Sequence, residues 1–283
     1  MANETAPLLE TLLADLKAAD PDRYLATLYA PAGKRGDLAV LYTFNLEVAR
    51  IRDAIREPLA GEIRLQWWRD AVATPEAGAD CGHPVAEAFA RVVDRHQLPP
   101  AALEAYFEAR LFDLYDDPMP SMNDLEGYCG ETAGAILQMA ATILDRDAAP
   151  GTGEAAGHAA CAQAMTGLIR SLPLHRARGQ CYVPAELLTA CGLDRDSYLD
   201  TPDDRNAAAL VSALCAKARE HLGLARKALE GLPKTLRPGY LVLAPVPAYL
   251  ERIEQTGAAC LERTPEISAL RRSWSFLRMS LRS

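Results

Sequence analysis

The sequence predicts an all-α protein, on three observations. Apolar residues recur three and four positions apart in nearly every segment, the spacing that gathers them on one face of a helix. Alternating apolar and polar runs, which a half-buried strand needs, are almost absent. Alanine and leucine, both strong helix formers, dominate the apolar set. Of 283 residues, 49% are hydrophobic, enough to bury a sizeable core. No stretch is long enough for an interdomain linker and no repeat is visible, so a single domain over 1–283 is expected.

The helical period is read in order along the chain. It runs through LLETLLADLKAA, LAVLYTFNLEVARIRDAI, IRLQWWRDAVA, HPVAEAFARVVDRHQL and AALEAYFEARLFDLY. It resumes in MNDLEGYCGETAGAILQMAATIL, AAGHAACAQAMTGLIRSL, NAAALVSALCAKAREHLGLARKALEGL and VPAYLERIEQTGAACLE, and ends in ISALRRSWSFLRMSLRS. Pro and Gly clusters break it at 30–37, 74–84 and 145–154. RARGQCYVPAELL at 176–188 and LPKTLRPGYLVLAP at 232–245 interrupt the second half. Helix N-caps are expected at Ser121 or Asn123, and at Thr201 or Asp203.

A net charge of −8 and a pI near 5.2 argue against a general nucleic-acid surface. The seven cysteines (Cys81, Cys129, Cys161, Cys181, Cys191, Cys215 and Cys260) are odd in number, irregularly spaced and without a CxxC. They read as small buried thiols in a reducing compartment. The N-terminus lacks a basic region followed by an apolar run, and no apolar stretch is long enough to span a bilayer. A cytoplasmic protein is expected, with peripheral contact at the inner face of the membrane left open. The stretch 270–283, LRRSWSFLRMSLRS, holds Arg271, Arg272, Arg278 and Arg282 without an acid. It can touch an anionic membrane with Trp274, Phe276 and Leu277 inserting, or pack as an ordinary helix on the bundle.

Several local motifs carry competing readings. FNLEVARIRDAIREP, 44–58, reads as one helix in which Asp53 faces Ala49 one turn behind and Glu57 one turn ahead. Arg50, three before Asp53, is placed to pair with it, so this face reads as ion-paired rather than metal-binding. DLYDD, 113–117, offers three carboxylates, but Pro118 and Pro120 follow, which points to a helix end in an exposed loop. The five histidines are scattered without HExxH spacing. GETAG, 130–134, lacks the Lys and Ser/Thr of a phosphate loop and marks close helix packing instead. Trp67 and Trp68 point about 100° apart, one into the core and one toward a groove or partner.

From LYTFNLEVARIRDAIREPLAGEIRLQWWRDAV onward, the sequence resembles the squalene/phytoene synthase family. The match continues through DLEGYCGETAG, at Tyr128, Cys129, Ala133 and Gly134, and through LIRSLPLHRARGQCYVP, where Arg170, Tyr182 and Pro184 keep the frame. It covers roughly 20–250. The resemblance implies an isoprenoid-synthase-type helical bundle around a central cavity. In active members, Mg²⁺ ions bridge DxxxD carboxylates on two helices to the diphosphates of two prenyl chains joined head to head. Carried onto this chain, the first leading acids fall on Ala49 and Arg50, with only Asp53 kept. The second pair falls on Ser171 and His175, and Pro173 sits within that turn.

Three readings follow. The first is a non-catalytic relative, resembling the mitochondrial respiratory complex I assembly factors of this family, which lack both acidic motifs; its partners would be complex I subunits or assembly intermediates, and no cofactor is expected. The second is an active prenyl diphosphate synthase with an altered Mg²⁺ site. The third is a metal-free binder of a prenyl phosphate or phospholipid. The candidate ligand-binding residues are Tyr42, Tyr128, Tyr182 and Asp53, which would serve the second reading, and Arg50, Arg52, Arg170, His175 and Arg178, which with Arg56 and Arg176 could form the basic mouth of the third. Singly, each arginine reads first as a solvated surface residue paired with Glu47, Asp53 or Glu57.

Overall fold

The computed structural model describes residues 5–55, 57–74, 81–200 and 203–281. Arg56, most of the break at 74–84, Thr201 and Arg282 lie outside them. Among the described residues the chain is helical, with no strand. The order is α1 (Thr5–Ala19), α2 (Pro21–Tyr29), α3 (Ala32–Ala49), α4 (Ile51–Ala54), α5 (Pro58–Ala73), α6 (Pro84–His96) and α7 (Pro100–Leu111). There follow α8 (Met122–Cys129), α9 (Ala135–Leu144), α10 (Gly153–Arg170), α11 (Leu172–Ala177), α12 (Ala185–Ala190), α13 (Arg195–Leu199), α14 (Asp204–Glu230), α15 (Val246–Thr256) and α16 (Ala269–Ser280). No described helix is long and apolar enough to cross a membrane.

Local chemistry sets these boundaries. Ser121 and Asp124 form a capping box at the start of α8, and Asp203 caps α14 through Arg205 N. Asp20 caps α2 through Arg23 N at 3.0 Å, with Pro21 in the first turn where its missing N–H costs nothing. Between α8 and α9, Gly130–Gly134 forms a single π-turn, so 122–144 runs as one helix with an extra residue in its middle. A Cβ on Gly134 would sit 3.4 Å from the Ala160 Cβ, which is the close helix approach expected of GETAG.

Two cores hold the bundle. In one, α3, α5, α6 and α7 surround Phe44, whose ring stacks on Phe89 at 3.9 Å between centroids and meets Trp68 edge-on at 5.5 Å. Trp68 is buried, while Trp67 is half-buried under the Arg64 guanidinium. In the other, α10 packs along α14 through small residues, Ala155, Ala159 and Ala162 against Ala207, Ala218 and the leucines between. The segment 232–245 departs from its reading as a plain break. Lys234–Leu243 winds as a 3₁₀-helix and buries Leu236, Tyr240, Leu241 and Leu243.

Two helices break where the sequence suggested continuity. Arg50 (φ −94°, ψ 1°) separates α3 from α4, and Ile55 is extended, so 44–58 is not one helix. Ser171 (φ −93°, ψ 3°) separates α10 from α11, with Pro173 in the first turn of α11, where a proline is accommodated.

Candidate functional site

The helices line a half-open cavity of about 420 Å³. Its wall draws on α2, α3, α8, α10, α11, α15 and α16, so residues distant in sequence meet there. Ala49, Ser171, His175, Tyr128 and Arg170 line it, as do Asp20, Asp22, Arg23, Asn45, Arg110, Gln163, Tyr249 and Arg272. The latter group was missed or left unassigned in the sequence, because no local spacing links it.

At the inner end lies a polar knot around Asp113. This residue is buried in the 3₁₀ turn that follows α7, which corrects its reading as an exposed loop acid. Its carboxylate accepts from Tyr128 Oη at 2.6 Å, Tyr182 Oη at 2.8 Å and Arg110 Nη1 at 2.9 Å. Gln180 Nε2 donates to its backbone carbonyl at 3.1 Å. Arg110 Nη2 and Tyr106 Oη both donate to Asn45 Oδ1, at 3.2 and 3.1 Å. Burial, then the Asp113 charge, raises Tyr128 and Tyr182 well above the ordinary phenol range. Burial pulls Arg110 down, but Tyr106, Tyr128 and Asp113 outweigh it and hold the guanidinium charged.

At the outer end, Arg272 from α16 reaches Asp22 at 2.9 Å and the Tyr249 hydroxyl at 3.0 Å. Arg170 lies over the Tyr249 ring at 3.8 Å and pairs with Glu266 at 3.1 Å. Burial and the neighbouring Asp20 raise Asp22, against the pull of Arg272 and Arg170. Burial takes Tyr249 up to about 12. Arg23 pairs with Asp20 at 2.6 Å.

Of the candidate residues, Tyr128, Arg170 and His175 face the cavity together, and Tyr182 backs His175 at 4.6 Å between ring centroids. Burial takes His175 down to about 4, so its ring is neutral near pH 7, and its Nδ1 has no hydrogen-bond partner among the described residues. The rest are placed elsewhere. Tyr42 is buried in the other core, off the cavity, with the Arg23 guanidinium 5.9 Å from its ring centre. Arg52 turns to Asp116 at 3.1 Å. Asp53 pairs with Arg178, not with Arg50, since the break at residue 50 rotates α4 away from α3. Arg50 is exposed and borders a separate recess with Glu47 and Asp15. Arg176 is spent on backbone carbonyls, those of Tyr198 and Leu261 each at 2.7 Å, and not on a basic mouth.

A magnesium–diphosphate cluster needs converging carboxylate oxygens. Among the described residues no group of three or more His, Cys, Asp and Glu side chains converges on a point. The acids on the cavity wall, Asp20 and Asp22, are each held by a guanidinium. This donor set does not fit that cluster. The guanidiniums on the wall, Arg23, Arg110, Arg170 and Arg272, are in turn each paired with an acid: Asp20, Asp113, Glu266 and Asp22.

Residues 16–274 match the family described as squalene/phytoene synthase. The chain is 28% identical over 243 residues to NADH dehydrogenase (ubiquinone) complex I, assembly factor 6, of Mus musculus, covering 85% of this chain and 72% of that protein. It is 28% identical over 186 residues to the 15-cis-phytoene synthase of Pantoea ananas, covering 64% of this chain and 59% of that enzyme. A dehydrosqualene synthase solved with ligand shares the helical-bundle fold, with a TM-score of 0.81 at 18% identity over 99% of this chain and 97% of that one. The chain belongs to the squalene/phytoene synthase family.

Proposed function

We propose that this chain is a non-catalytic member of its family that acts in the cytoplasm in the assembly of respiratory complex I. One observation carries the non-catalytic half: Ala49, Arg50, Ser171 and His175 stand where the family resemblance puts four metal-directed acids, and the remaining Asp53 is held by Arg178. Around the cavity, burial pushes Tyr128 and Tyr182 up and His175 down, away from neutrality, while it raises Asp22. Similarity to complex I assembly factor 6 over 85% of the chain supports the assembly half. Fold alone would not, since one scaffold hosts many functions.

The test pairs two measurements. Purified protein is incubated with farnesyl or geranylgeranyl diphosphate, with Mg²⁺ or EDTA, and pyrophosphate release is followed. The tagged chain is also captured from its own cells and probed for complex I subunits, and NADH:quinone activity is measured in cells lacking it. No release, capture of subunits and lowered activity are expected. Mg²⁺-dependent release of a joined prenyl product would overturn the first half, and unchanged complex I the second.

A second, compatible reading is that the cavity holds a prenyl phosphate or phospholipid without metal, its phosphate competing with the acids that pair the four wall guanidiniums. A thermal shift with such a ligand that persists in EDTA is its signature.

A further inference from the structure

Helix α16 packs on the bundle through Arg272, Phe276 and Met279, with Phe276 fully buried against Tyr29. Phe276 is therefore unavailable to a membrane. The opposite side of the helix carries Leu270, Trp274, Leu277 and Leu281, exposed by 82, 61, 41 and 79%. At 100° per residue these four fall within about 60° of one another, pointing away from the protein. A helix packed on a soluble body ordinarily turns its charged face outward. Here the outward face is the apolar one.

Basic residues flank one side of this stripe, Arg278 and Arg271, the latter paired with Glu251. The helix contains no acid, in a chain of net charge −8. Arg278 flanks the stripe and also enters an open groove of about 590 Å³ between α14, the 3₁₀ segment Lys234–Leu243 and α16. Leu229, Leu243 and Met279 contribute apolar surface to the groove, while Arg226, Arg237 and Arg278 contribute charge against a lone acid, Glu230. Arg237 and Arg278 have no ion-pair partner among the described residues. An apolar slot edged by guanidiniums suits a phosphate attached to hydrocarbon, since guanidiniums grip phosphate bidentately.

We propose that this face docks on an anionic phospholipid bilayer, with the Leu270–Trp274–Leu277–Leu281 stripe in the headgroup–acyl boundary and a lipid phosphate held in the groove by Arg237 and Arg278. Tryptophan and leucine on one side of a helix, with arginine beside them, is the composition that lies in a membrane interface. A second copy of the chain fits less well. Two-fold pairing of the stripe would bring like-charged Arg278 side chains together, and one helix width is narrow for a stable protein interface. The proposal stands apart from the cavity and from the assembly role.

The test is co-sedimentation of the full chain with vesicles of phosphatidylcholine alone or mixed with phosphatidylglycerol. Sedimentation with the mixed vesicles only, weakened by salt, is expected. Arg278→Gln and Arg237→Gln should each weaken binding about fivefold, the contribution of one arginine near an anionic surface. Trp274→Ser with Leu277→Ser should weaken it more than about tenfold. The side chains of Trp274, Leu277 and Arg278 are exposed and that of Arg237 is half-buried, so unchanged melting curves check that the variants fold. Equal binding to both vesicles, no binding, indifference to the serine pair, or a wild-type dimer that the serine pair dissolves would each overturn the proposal.

Discussion

Asp113→Ala is the substitution whose cost the structure specifies best. The wild-type carboxylate is only 9% exposed and takes three donors, two phenols and the Arg110 guanidinium, at 2.6 to 2.9 Å. Removing it leaves Arg110, itself 12% exposed, with the neutral Asn45 oxygen at 3.2 Å as its remaining strong acceptor. Breaking a buried pair by deleting one partner costs about 3–5 kcal/mol, because the surviving charge stays buried. The Tyr128 oxygen, 3.2 Å from Arg110 Nη1, recovers part of this, about 1 kcal/mol. A net loss of about 2–4 kcal/mol follows, or about 3–7 °C in Tm for a chain of this size. Urea unfolding followed by circular dichroism measures it, with Asp116→Ala as the control. Asp116 pairs with Arg52 but is 46% exposed, so its loss should cost about 0–1 kcal/mol. A cost below about 1 kcal/mol for Asp113→Ala would refute the reasoning, by showing that water already serves the knot.

Three further outcomes are expected. His175 titrates near 4 in the folded chain and near 6.5 unfolded, so its contribution is full above about pH 6.5 and is lost as pH falls toward about 4; His175→Gln should remove about 2–3 kcal/mol of that acid loss, read as the difference in urea midpoint at about pH 7.5 and 4.5. Gly134→Val should cost about 1–3 kcal/mol in the same assay, because even a Cβ there meets the Ala160 methyl at 3.4 Å. Restoring acids at four positions together (Ala49→Asp, Arg50→Asp, Ser171→Asp and His175→Asp) should yield no pyrophosphate release from farnesyl diphosphate with Mg²⁺, since the breaks at residues 50 and 171 and the guanidiniums on the cavity wall remain. Efficient release would show that the acids alone were limiting.

The helical class, the caps at Ser121 and Asp203 and the close packing at GETAG were legible because each rests on neighbours in sequence. Helix periodicity could not show the break at Arg50, whereas Pro173 is a local signal for the break at Ser171. Asp113 was misplaced for a related reason. Prolines at 118 and 120 do end the segment, but partners 15 and 69 positions away, Tyr128 and Tyr182, draw the carboxylate inward. The cavity charges were hidden most deeply, because Asp22 and Arg272 look like ordinary surface residues until the fold brings them together. Likewise the histidines looked scattered, yet His158 and His221 lie 3.1 Å apart across α10 and α14.

The junction of Asp22, Tyr249 and Arg272 has a consequence for synthesis. Asp22 and Tyr249 are separated by 227 positions, and Arg272 lies further on. At about 5–20 residues per second, Asp22 leaves the ribosome roughly 10–45 s before its partners exist. During that interval Asp22 lacks two of its partners, the Tyr249 hydroxyl and the Arg272 guanidinium. Residues of α2, α15 and α16 thus share one wall of the cavity, and that wall is complete only once Arg272 has been made.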